Sequence, residues 1–227
     1  MTDETTPLIP DDTEETKMSV LEDATQWWND FTEKWKGQGE KPPSPSWDWR
    51  QAAVTLVGVA LSLTLVSYLA VLFGSWSGHS GHHELSWTSE HWVLLLGSYG
   101  ALATLLFAAP QAPVSQPRMV LGGHAIAILV AIVFDRISEP AYGTAILPRE
   151  MAVGLAPAVA ITAMQILGLT HPPAGAAVLV FLFYPESIRQ MGLLFYVPVY
   201  LGCFILVLMA LVINNSFSFR PAYPRFW

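Results

Sequence analysis

The stretch at residues 170–184, THPPAGAAVLVFLFY, decides the fold of this chain. Thr170 is a favourable N-cap residue, and Pro172 and Pro173 suit the first positions of a helix, whose N–H groups lack partners in any case. The apolar run from Pro173 ends at Tyr184, so at 1.5 Å per residue the helix reaches roughly 17 Å across a hydrocarbon core of about 30 Å. The sequence therefore predicts a half-helix that begins inside a membrane.

The start of such a half-helix has a chemistry of its own. It presents N–H groups without partners and the positive end of the helix dipole. At membrane depth it is stable only when it is buried in protein or faces a polar cavity. Backbone N–H groups and a positive dipole suit a negatively charged ligand, so we expect an anion site at the start of this helix.

The composition independently indicates a membrane protein. Apolar residues make up 52% of the chain and charged residues 13%, about half the charge of an ordinary soluble protein. Six segments are apolar and free of charge, and four or five of them are long enough to cross a bilayer. The single cysteine, Cys203, excludes a disulfide within the chain. We predict an all-α integral membrane protein with about six membrane segments, at residues 52–73, 92–109, 119–134, 151–169, 174–184 and 191–213.

Two short segments repeat the same pattern. Residues 100–110, GALATLLFAAP, and residues 175–185, GAAVLVFLFYP, both begin with Gly-Ala and reach a proline after ten residues. Each is flanked by longer apolar segments, which gives three segments per half, and an odd number inverts the second half relative to the first. The pattern predicts a 3+3 inverted repeat with one or two half-helices, as in many transporters. Chance similarity of two apolar segments is the alternative.

The net charge of −7 belongs to the first part of the chain. Residues 1–50 hold 12 acidic and 5 basic side chains, and residues 51–227 hold 6 of each. We divide the chain into an acidic cytoplasmic tail at residues 1–49 and a transmembrane domain at residues 50–227. Within the tail, a capping box and an apolar stripe predict an amphipathic helix at about residues 19–36. An acidic tail gives no reason to expect nucleic acid as a partner.

A second signal in the tail concerns the membrane in which the protein resides. Glu4, Leu8 and Ile9 match the acidic dileucine pattern that sorting adaptors bind on vacuolar, lysosomal and endosomal membrane proteins. The tail is too acidic for a mitochondrial or plastid transit peptide, and it has no apolar run that would serve as a signal peptide. We therefore expect a eukaryotic endomembrane such as the vacuole, rather than a plastid or the plasma membrane.

Basic residues predict the orientation. With a cytoplasmic tail and six membrane segments, seven basic residues fall inside and three outside, in agreement with the positive-inside rule. The loop at residues 74–91 has neither lysine nor arginine, which also places it outside. The outer three are Arg136, Arg149 and Arg189, and the inner seven are Lys34, Lys36, Lys41, Arg50, Arg118, Arg220 and Arg225.

The histidines fall into two groups. His124 and His171 lie within or next to apolar segments, where an ionisable side chain is costly and points to function. A neutral histidine bonded to a backbone carbonyl is the structural alternative for both. The other four lie in the outer loop with two glutamates, a set typical of a solvated loop, with an N/O metal site as the alternative: His79, His82, His83, His91, Glu84 and Glu90.

Four separated motifs carry a resemblance to a known family. They are the tripeptide His171-Pro172-Pro173 within residues 170–177, the stretch QPRMVLGGH at residues 116–124, the pair Asn214-Asn215, and RPAYPRFW at residues 220–227. In these motifs the chain resembles the HPP family of membrane proteins, over about residues 50–227. Members in cyanobacterial and plastid membranes are associated with nitrite transport, so the resemblance implies a small-anion permease. The acidic tail and the histidine-rich loop depart from the family pattern, and the missing transit peptide argues against a plastid address.

The resemblance and the two predicted half-helix starts together indicate a candidate site. Half-helix starts at residues 98–100 and 170–175 would face one midplane cavity, with N–H and hydroxyl groups around a monovalent oxyanion such as nitrite. Gln116 and Arg118 would attract the anion at the cytoplasmic mouth, although a snorkelling interface anchor is an equal alternative for Arg118. His171 and His124 would donate or take a proton, which suits proton-coupled uptake near neutral pH. The candidate anion-binding residues are Ser98, Tyr99, Gly100, Gln116, Arg118, His124, Thr170, His171, Pro172, Pro173 and Gly175.

Two other classes of function stay open on sequence grounds. A membrane enzyme would need a carboxylate or metal cluster at depth, and the apolar segments contain no Asp or Glu, so we expect no catalytic residue, metal ligand or cofactor. A non-transporting scaffold or accessory subunit is the alternative function, because short helices also pack for stability alone. The expected partners are the anion, the bilayer and a sorting adaptor at Glu4, Leu8 and Ile9, and a homo-oligomer is left open.

Overall fold

The computed structural model describes residues 12–35, 48–76, 97–139 and 145–227. All regular structure in these residues is helical, and none of them forms a strand. The chain separates into two compact units, Met1–Ser46 and Trp47–Trp227. The all-α prediction is confirmed, and the assignment of the units to cytoplasm and membrane stays a prediction.

Three predicted features lie outside the described residues. The sorting signal at Glu4, Leu8 and Ile9 precedes them, and the histidine-rich loop falls between residues 76 and 97. The first five residues of the predicted segment 92–109 also fall in that interval. These interpretations stay predictions.

Helix α1 (Asp12–Trp35) is the described part of the first unit. It begins seven residues before the predicted start at residue 19. The helix therefore extends beyond the predicted capping box. Trp27, Trp28 and Phe31 form an aromatic cluster, in which the rings of Trp27 and Phe31 stack with centroids 5.2 Å apart.

The second unit contains seven α-helices in its described part, three of which are long and apolar enough to cross a membrane. The three lie in α2, α4 and α8, where a 3-10 turn at Gly192–Phe195 extends the last span. Helix α5 has 18 residues, but it begins with Arg149 and Glu150, which lower its apolar character. In chain order the helices are α2 (Trp49–Trp76), α3 (Tyr99–Ala103), α4 (Pro117–Ser138), α5 (Arg149–Ile166), α6 (Pro172–Phe183), α7 (Glu186–Arg189) and α8 (Tyr196–Asn215).

Two apolar helices are too short to cross a membrane. One is Tyr99–Ala108, in which α3 continues as a π-helical turn at Thr104–Ala108, and the other is α6. Twelve residues give α6 a length of about 18 Å. Its start lies beside Gly123, where an added Cβ would be 2.7 Å from the Cβ of His171. Gly123 is the seventh residue of α4, so α6 begins about 9 Å along that candidate span, and the predicted short helix is confirmed.

The helices pack in a pattern that repeats between the two halves. Helix α2 packs against α8 as α5 packs against α4, and α2 contacts the short helix Tyr99–Ala108 as α5 contacts α6. The π-helical turn contacts α8 as α6 contacts α4. If α2 corresponds to α5, α3 to α6 and α4 to α8, each of these contacts in one half has a counterpart in the other. The predicted 3+3 inverted repeat requires this correspondence. The two-fold axis itself stays a prediction.

An ion network joins the ends of α4, α5 and α6. The carboxylate of Asp135, only 1% exposed, pairs with Arg149 at 2.8 Å and with Arg189, which also pairs with Glu139 at 2.9 Å. Arg149 donates in addition to the carbonyl oxygen of Leu182, near the end of α6. Burial lowers the pKa of Arg189, but the hydrogen bonds and charges of Asp135 and Glu139 outweigh it, so this pKa lies above its usual value. The network therefore fixes the last turn of α6.

A second buried arginine holds the end of the other short helix. Arg220 donates to the carbonyl oxygen of Phe107, and Asn214 donates to that of Leu106 at 3.0 Å. The remaining bonds of the Arg220 guanidinium group go to the side-chain oxygens of Asn214 and Gln51. These acceptors are neutral, and burial lowers the pKa of Arg220. Because the carbonyl end of a helix carries partial negative charge, the arginine stabilises it, and both short helices thus end on an arginine.

The two networks separate the arginines as the orientation argument predicts. Arg149 and Arg189 share one carboxylate at the end where α4 finishes and α5 begins. Arg220 bonds to Gln51 at the start of α2, and the backbone N–H of Arg225 bonds to Gln116 before α4, at the opposite end. The predicted grouping agrees with these contacts, and the side that faces the cytosol stays a prediction.

Glycines allow the short helices to lie close to the long ones. The ring of Phe107 lies over Gly58 of α2, and the ring of Tyr99 lies over Gly202 of α8, so closely that a Cβ at either glycine would collide. Tyr99 also donates a hydrogen bond of 2.7 Å to the carbonyl oxygen of Val199. Close backbone approach at small residues is the usual basis of helix association in membranes, and here it sets the position of α3 against α2 and α8.

Candidate functional site

Helix α6 begins one residue later than the sequence predicts. Pro172 occupies its first position, and His171 is the N-cap residue, with an extended backbone (φ −141°, ψ 103°). The residue before a proline is kept out of the helical region, so the cap position falls on His171. Thr170 is exposed and lies outside the helix, and the prediction that it caps α6 is therefore wrong.

The first turn of α6 offers no free amide donor. Pro172 and Pro173 have no N–H, and the N–H groups of Ala174 and Gly175 donate to the carbonyl oxygen of His171 at 3.0 and 3.3 Å. The predicted cradle of backbone N–H groups around an anion is therefore wrong for this helix. The positive end of the helix dipole remains, because it arises from the aligned peptide groups.

We expect Thr170→Val to leave the stability of the protein almost unchanged. The side chain is exposed and makes no cap, so the free energy of unfolding should change by less than about 0.5 kcal/mol. Thermal unfolding in detergent, followed by tryptophan fluorescence, measures this. A loss of about 1 kcal/mol, the usual cost of removing an N-cap, would return the capping role to Thr170.

His171 is fixed from two sides. Its Nδ1 lies 2.8 Å from the carbonyl oxygen of Val114, in a 3-10 turn at Pro113–Ser115 just before α4. Its Cβ rests on Gly123 of α4, with no room for another methyl group between them. The side chain is 1% exposed. Contacts from two distant segments thus set the position and orientation of the ring.

His124 faces His171 from α4. Its Nδ1 lies 2.8 Å from the carbonyl oxygen of Val120, one turn earlier, and the side chain is fully buried. The centroids of the two imidazole rings are 5.3 Å apart, and the ring of Tyr99 stands edge-on to His124 at 6.5 Å. Helices α3 and α4 and the start of α6 therefore each contribute one ring to a buried cluster, and we refer to His124 and His171 as the histidine pair.

Two polar atoms at this cluster have no hydrogen-bond partner in the described part of the chain. They are Nε2 of His124 and Nε2 of His171, and both side chains are buried. Oγ of Ser98, the residue before Tyr99, and Oδ2 of Asp135 are also buried without a partner. A buried polar atom without a partner is costly, so such atoms usually mark a place where a ligand or water binds. Two of the residues predicted from the sequence, His124 and His171, thus lie together with unsatisfied nitrogen atoms.

A cavity of about 350 Å³ lies beside His171, between α5 and α6, and His124 is not among the residues that line it. Its walls are mainly apolar, and its lining includes no charged side chain. The lining residues are Pro157, Ile161, Met164, Thr170, His171, Pro172, Gly175, Ala176 and Leu179. A small ligand in this cavity would contact the ring of His171.

Gln116 has a structural role. Its amide nitrogen donates to the carbonyl oxygens of Pro110 and Ala112 at 2.9 and 3.0 Å. Its Oε1 accepts a hydrogen bond of 2.7 Å from the backbone N–H of Arg225. These bonds tie the C-terminal segment to the start of α4 and occupy both ends of the amide, which leaves Gln116 unsuited to attract an anion.

The other predicted residues divide by burial. Tyr99, Pro173 and Gly175 are buried, and Gly175 lies against Ile161, where an added Cβ would be 3.2 Å from a side-chain carbon. The residues on the surface are Gly100, Arg118, Thr170 and Pro172. The remaining predicted site residues therefore fall into a buried group and a surface group. The attraction of anions by Arg118 stays a prediction.

Asp135 is a buried carboxylate that the sequence analysis missed. The apolar segment at residues 119–134 stops one residue before it, whereas α4 continues to Ser138 and buries it. The predicted segment itself holds no acidic side chain, but the helix that contains it buries one directly after the segment ends. Helical spacing in the sequence could have indicated that Asp135 is buried, because it follows His124, Ile128 and Ala131 on the same face of α4. No cluster of three metal-ligating side chains occurs among the residues that the structure describes.

Comparison with known proteins gives one family and two relatives. The family model for the HPP transmembrane region matches residues 44–224. A transmembrane protein of Dictyostelium discoideum is 30% identical over 224 residues, covering 93% of this chain and 61% of the relative. A second transmembrane protein of the same organism is 31% identical over 211 residues, covering 87% and 63%. No solved structure matches the chain.

The relatives and the family model differ in how much of each protein the match covers. The chain spans less than two thirds of the length of the curated relatives that it matches. The family model, in contrast, covers most of this chain, including all of the described helices from α2 to α8. The motifs that suggested the resemblance, with the HPP tripeptide at the start of α6, all lie within or next to the matched residues. The chain therefore belongs to the HPP family of membrane proteins.

Proposed function

We propose that the chain is a permease for a small inorganic anion, nitrite or a similar oxyanion. The observation that supports this most is the histidine pair, two buried imidazoles with unpartnered Nε2 atoms at the start of a helix that stops short of spanning the membrane. A structural pair would normally have all its nitrogen atoms bonded. This pair instead keeps two of its four nitrogen atoms available to a ligand.

The surroundings of the pair suit an anion better than a cation. The first turn of α6 directs the positive end of its dipole toward His171. The acidic side chain of Asp135 lies eleven residues further along α4 than His124, about 16 Å away along the helix. A negative ligand at the pair therefore meets a positive potential and no nearby carboxylate of α4.

The size and polarity of the cavity suit a small ion that is released again. Its volume of about 350 Å³ exceeds that of a nitrite ion several-fold and is too small for a large metabolite with its water shell. No arginine or lysine lines it, so the ligand would not be held by a permanent charge. Weak binding permits passage, as in other transporters with a site at a broken helix.

The proposal extends to location and partners. The acidic tail and the dileucine pattern at Glu4, Leu8 and Ile9 favour a eukaryotic endomembrane such as the vacuole, with a sorting adaptor as partner. No enzymatic step is proposed. The competing scaffold function is consistent with the arginine networks, which serve stability, but it gives no reason for the unpartnered nitrogen atoms.

Nitrite uptake into proteoliposomes tests the proposal against the scaffold alternative. Purified protein in vesicles should raise the initial rate of nitrite entry at least several-fold above that of protein-free vesicles. The undissociated acid crosses lipid unaided, so the protein-free rate is subtracted at each pH. Chloride and sulfate in excess, tested as competitors, report selectivity. A rate equal to that of protein-free vesicles, with the protein folded and inserted, would support the scaffold.

A further inference from the structure

The hydrogen bonds of the histidine pair fix the position of its protons. Both Nδ1 atoms lie 2.8 Å from a backbone carbonyl oxygen, that of Val120 for His124 and that of Val114 for His171. A carbonyl oxygen only accepts hydrogen bonds, so each Nδ1 carries a proton. In a neutral imidazole the other nitrogen is then a bare acceptor. The neutral pair consequently presents two lone pairs and no donor to a ligand.

A bare anion has nothing to bind in that arrangement. Two acceptor nitrogen atoms repel it, and the first turn of α6 has no free N–H to offer. Adding one proton to the pair changes this, because one Nε2 becomes a charged donor. A second proton is opposed by repulsion between two imidazolium rings 5.3 Å apart. One proton is therefore the state of the pair that accepts a monovalent anion.

Among the residues that the structure describes, the groups around the pair do not supply another charge. From α3 the ionisable neighbour is Tyr99, whose hydroxyl already donates to Val199, and from α8 it is Cys203, which lies against that hydroxyl. The turn before α4 contributes a carbonyl group, and the cavity wall from α5 is uncharged. The proton on the pair and the charge of the anion thus balance each other.

A cation with several donors, such as ammonium, is the competing ligand for two acceptor nitrogen atoms. The dipole of α6 disfavours it, because the positive end of that helix lies at His171. No carboxylate faces the pair among the described residues to offset a cation, since Asp135 is tied to two arginines at the other end of α4. The geometry favours an anion that arrives with a proton.

We propose that the histidine pair binds the anion together with one proton, and that transport is electroneutral with one proton per anion. This inference rests on the proposed permease function. The proton is taken up at Nε2 of one histidine on the side where the anion enters. Both leave on the opposite side, and the pair returns neutral. His124 and His171 act as one unit, so loss of either removes the proton site.

The stoichiometry is measured in proteoliposomes that contain a pH indicator. Nitrite entry and internal acidification are recorded together, with potassium and valinomycin setting the membrane potential at zero or at about 100 mV, inside negative. We expect one proton per nitrite after subtraction of protein-free vesicles, and the same rate at both potentials. An anion moving alone would be slowed several-fold by the inside-negative potential, because its charge crosses the field.

Variants of the pair give a second, independent readout. The protein-dependent rate should rise as pH falls, because the protonated pair binds the anion. His124→Gln and His171→Gln should each lower the rate at acid pH by at least about 10-fold and flatten the pH profile. The double variant should be no worse than either single one, since the two residues share one proton. Replacement of His79, His82 and His83 by glutamine is the matched control and should keep the profile.

The outcomes separate this inference from the function on which it rests. Nitrite flux without matching proton uptake, or flux that slows at the inside-negative potential, would overturn the inference and keep the permease. Ammonium flux in place of nitrite flux would overturn both the inference of anion binding with a proton and the proposed anion permease function. A histidine variant that keeps the wild-type pH profile would also overturn the inference. If a variant does not fold, the wild-type stoichiometry alone decides.

Discussion

Asp135→Asn is expected to destabilise the protein more than any other single change considered. The substitution leaves Arg149 and Arg189 without their shared carboxylate, at a site where the Asp135 side chain is 1% exposed and that of Arg189 10%. Breaking a buried ion pair in this way costs about 3 kcal/mol, which corresponds to a fall of roughly 6–12 °C in Tm. Tryptophan fluorescence during heating in detergent measures it.

The control for this change is Glu150→Gln, which also converts an acid to an amide near the same end of the molecule. Glu150 is exposed in the first turn of α5, so its loss should cost at most about 1 kcal/mol. Equal Tm values for the two variants would show that the network does not stabilise α6. A small fall for Glu150→Gln with a large fall for Asp135→Asn is the expected pair of results.

Gly123→Ala is expected to reduce nitrite uptake by about 10- to 100-fold. The new Cβ would lie 2.7 Å from the Cβ of His171, 3.2 Å from the carbonyl oxygen of Leu169 and 3.3 Å from the Cβ of Ala174. None of these atoms can move by rotation of a flexible side chain, so the start of α6 has to shift away from α4. The histidine pair then loses its spacing, and initial rates of uptake report the loss.

Gly154→Ala is the matched control for this second change. Gly154 lies in α5 with no atom within 4 Å of an added Cβ, and alanine is favoured over glycine in a helix by about 1 kcal/mol. We expect full uptake and equal or higher Tm. Full uptake by a folded Gly123→Ala protein would instead show that the precise position of α6 does not matter for transport.

Much of the fold could be predicted because local rules decide it. Two prolines at the start and Pro185 at the end confine α6 to a short helix, and the long apolar segments favour helices in a membrane protein. The cap of α6 was mispredicted because two rules conflict at that point. Thr170 has the better capping side chain, but the restriction that Pro172 places on its predecessor prevails.

The chemistry of the site depended on contacts that sequence spacing does not contain. The choice of His124 and His171 followed from their apolar surroundings, but the orientation of His171 depends on a carbonyl 57 residues away in the chain. The same holds for Gln116, whose amide is bound to Arg225 across 109 residues. The expected cradle of N–H groups failed for a local reason, since the prolines that start the helix remove those donors.

A crystal structure of the protein grown with nitrite at mildly acidic pH tests the central claim most directly, because it locates the anion. The histidine pair should hold it, with nitrite oxygen atoms about 2.6–3.2 Å from Nε2 of His124 or His171. Nitrite bound at the guanidinium of Arg118 or Arg220, with the pair free of anion, would contradict the account.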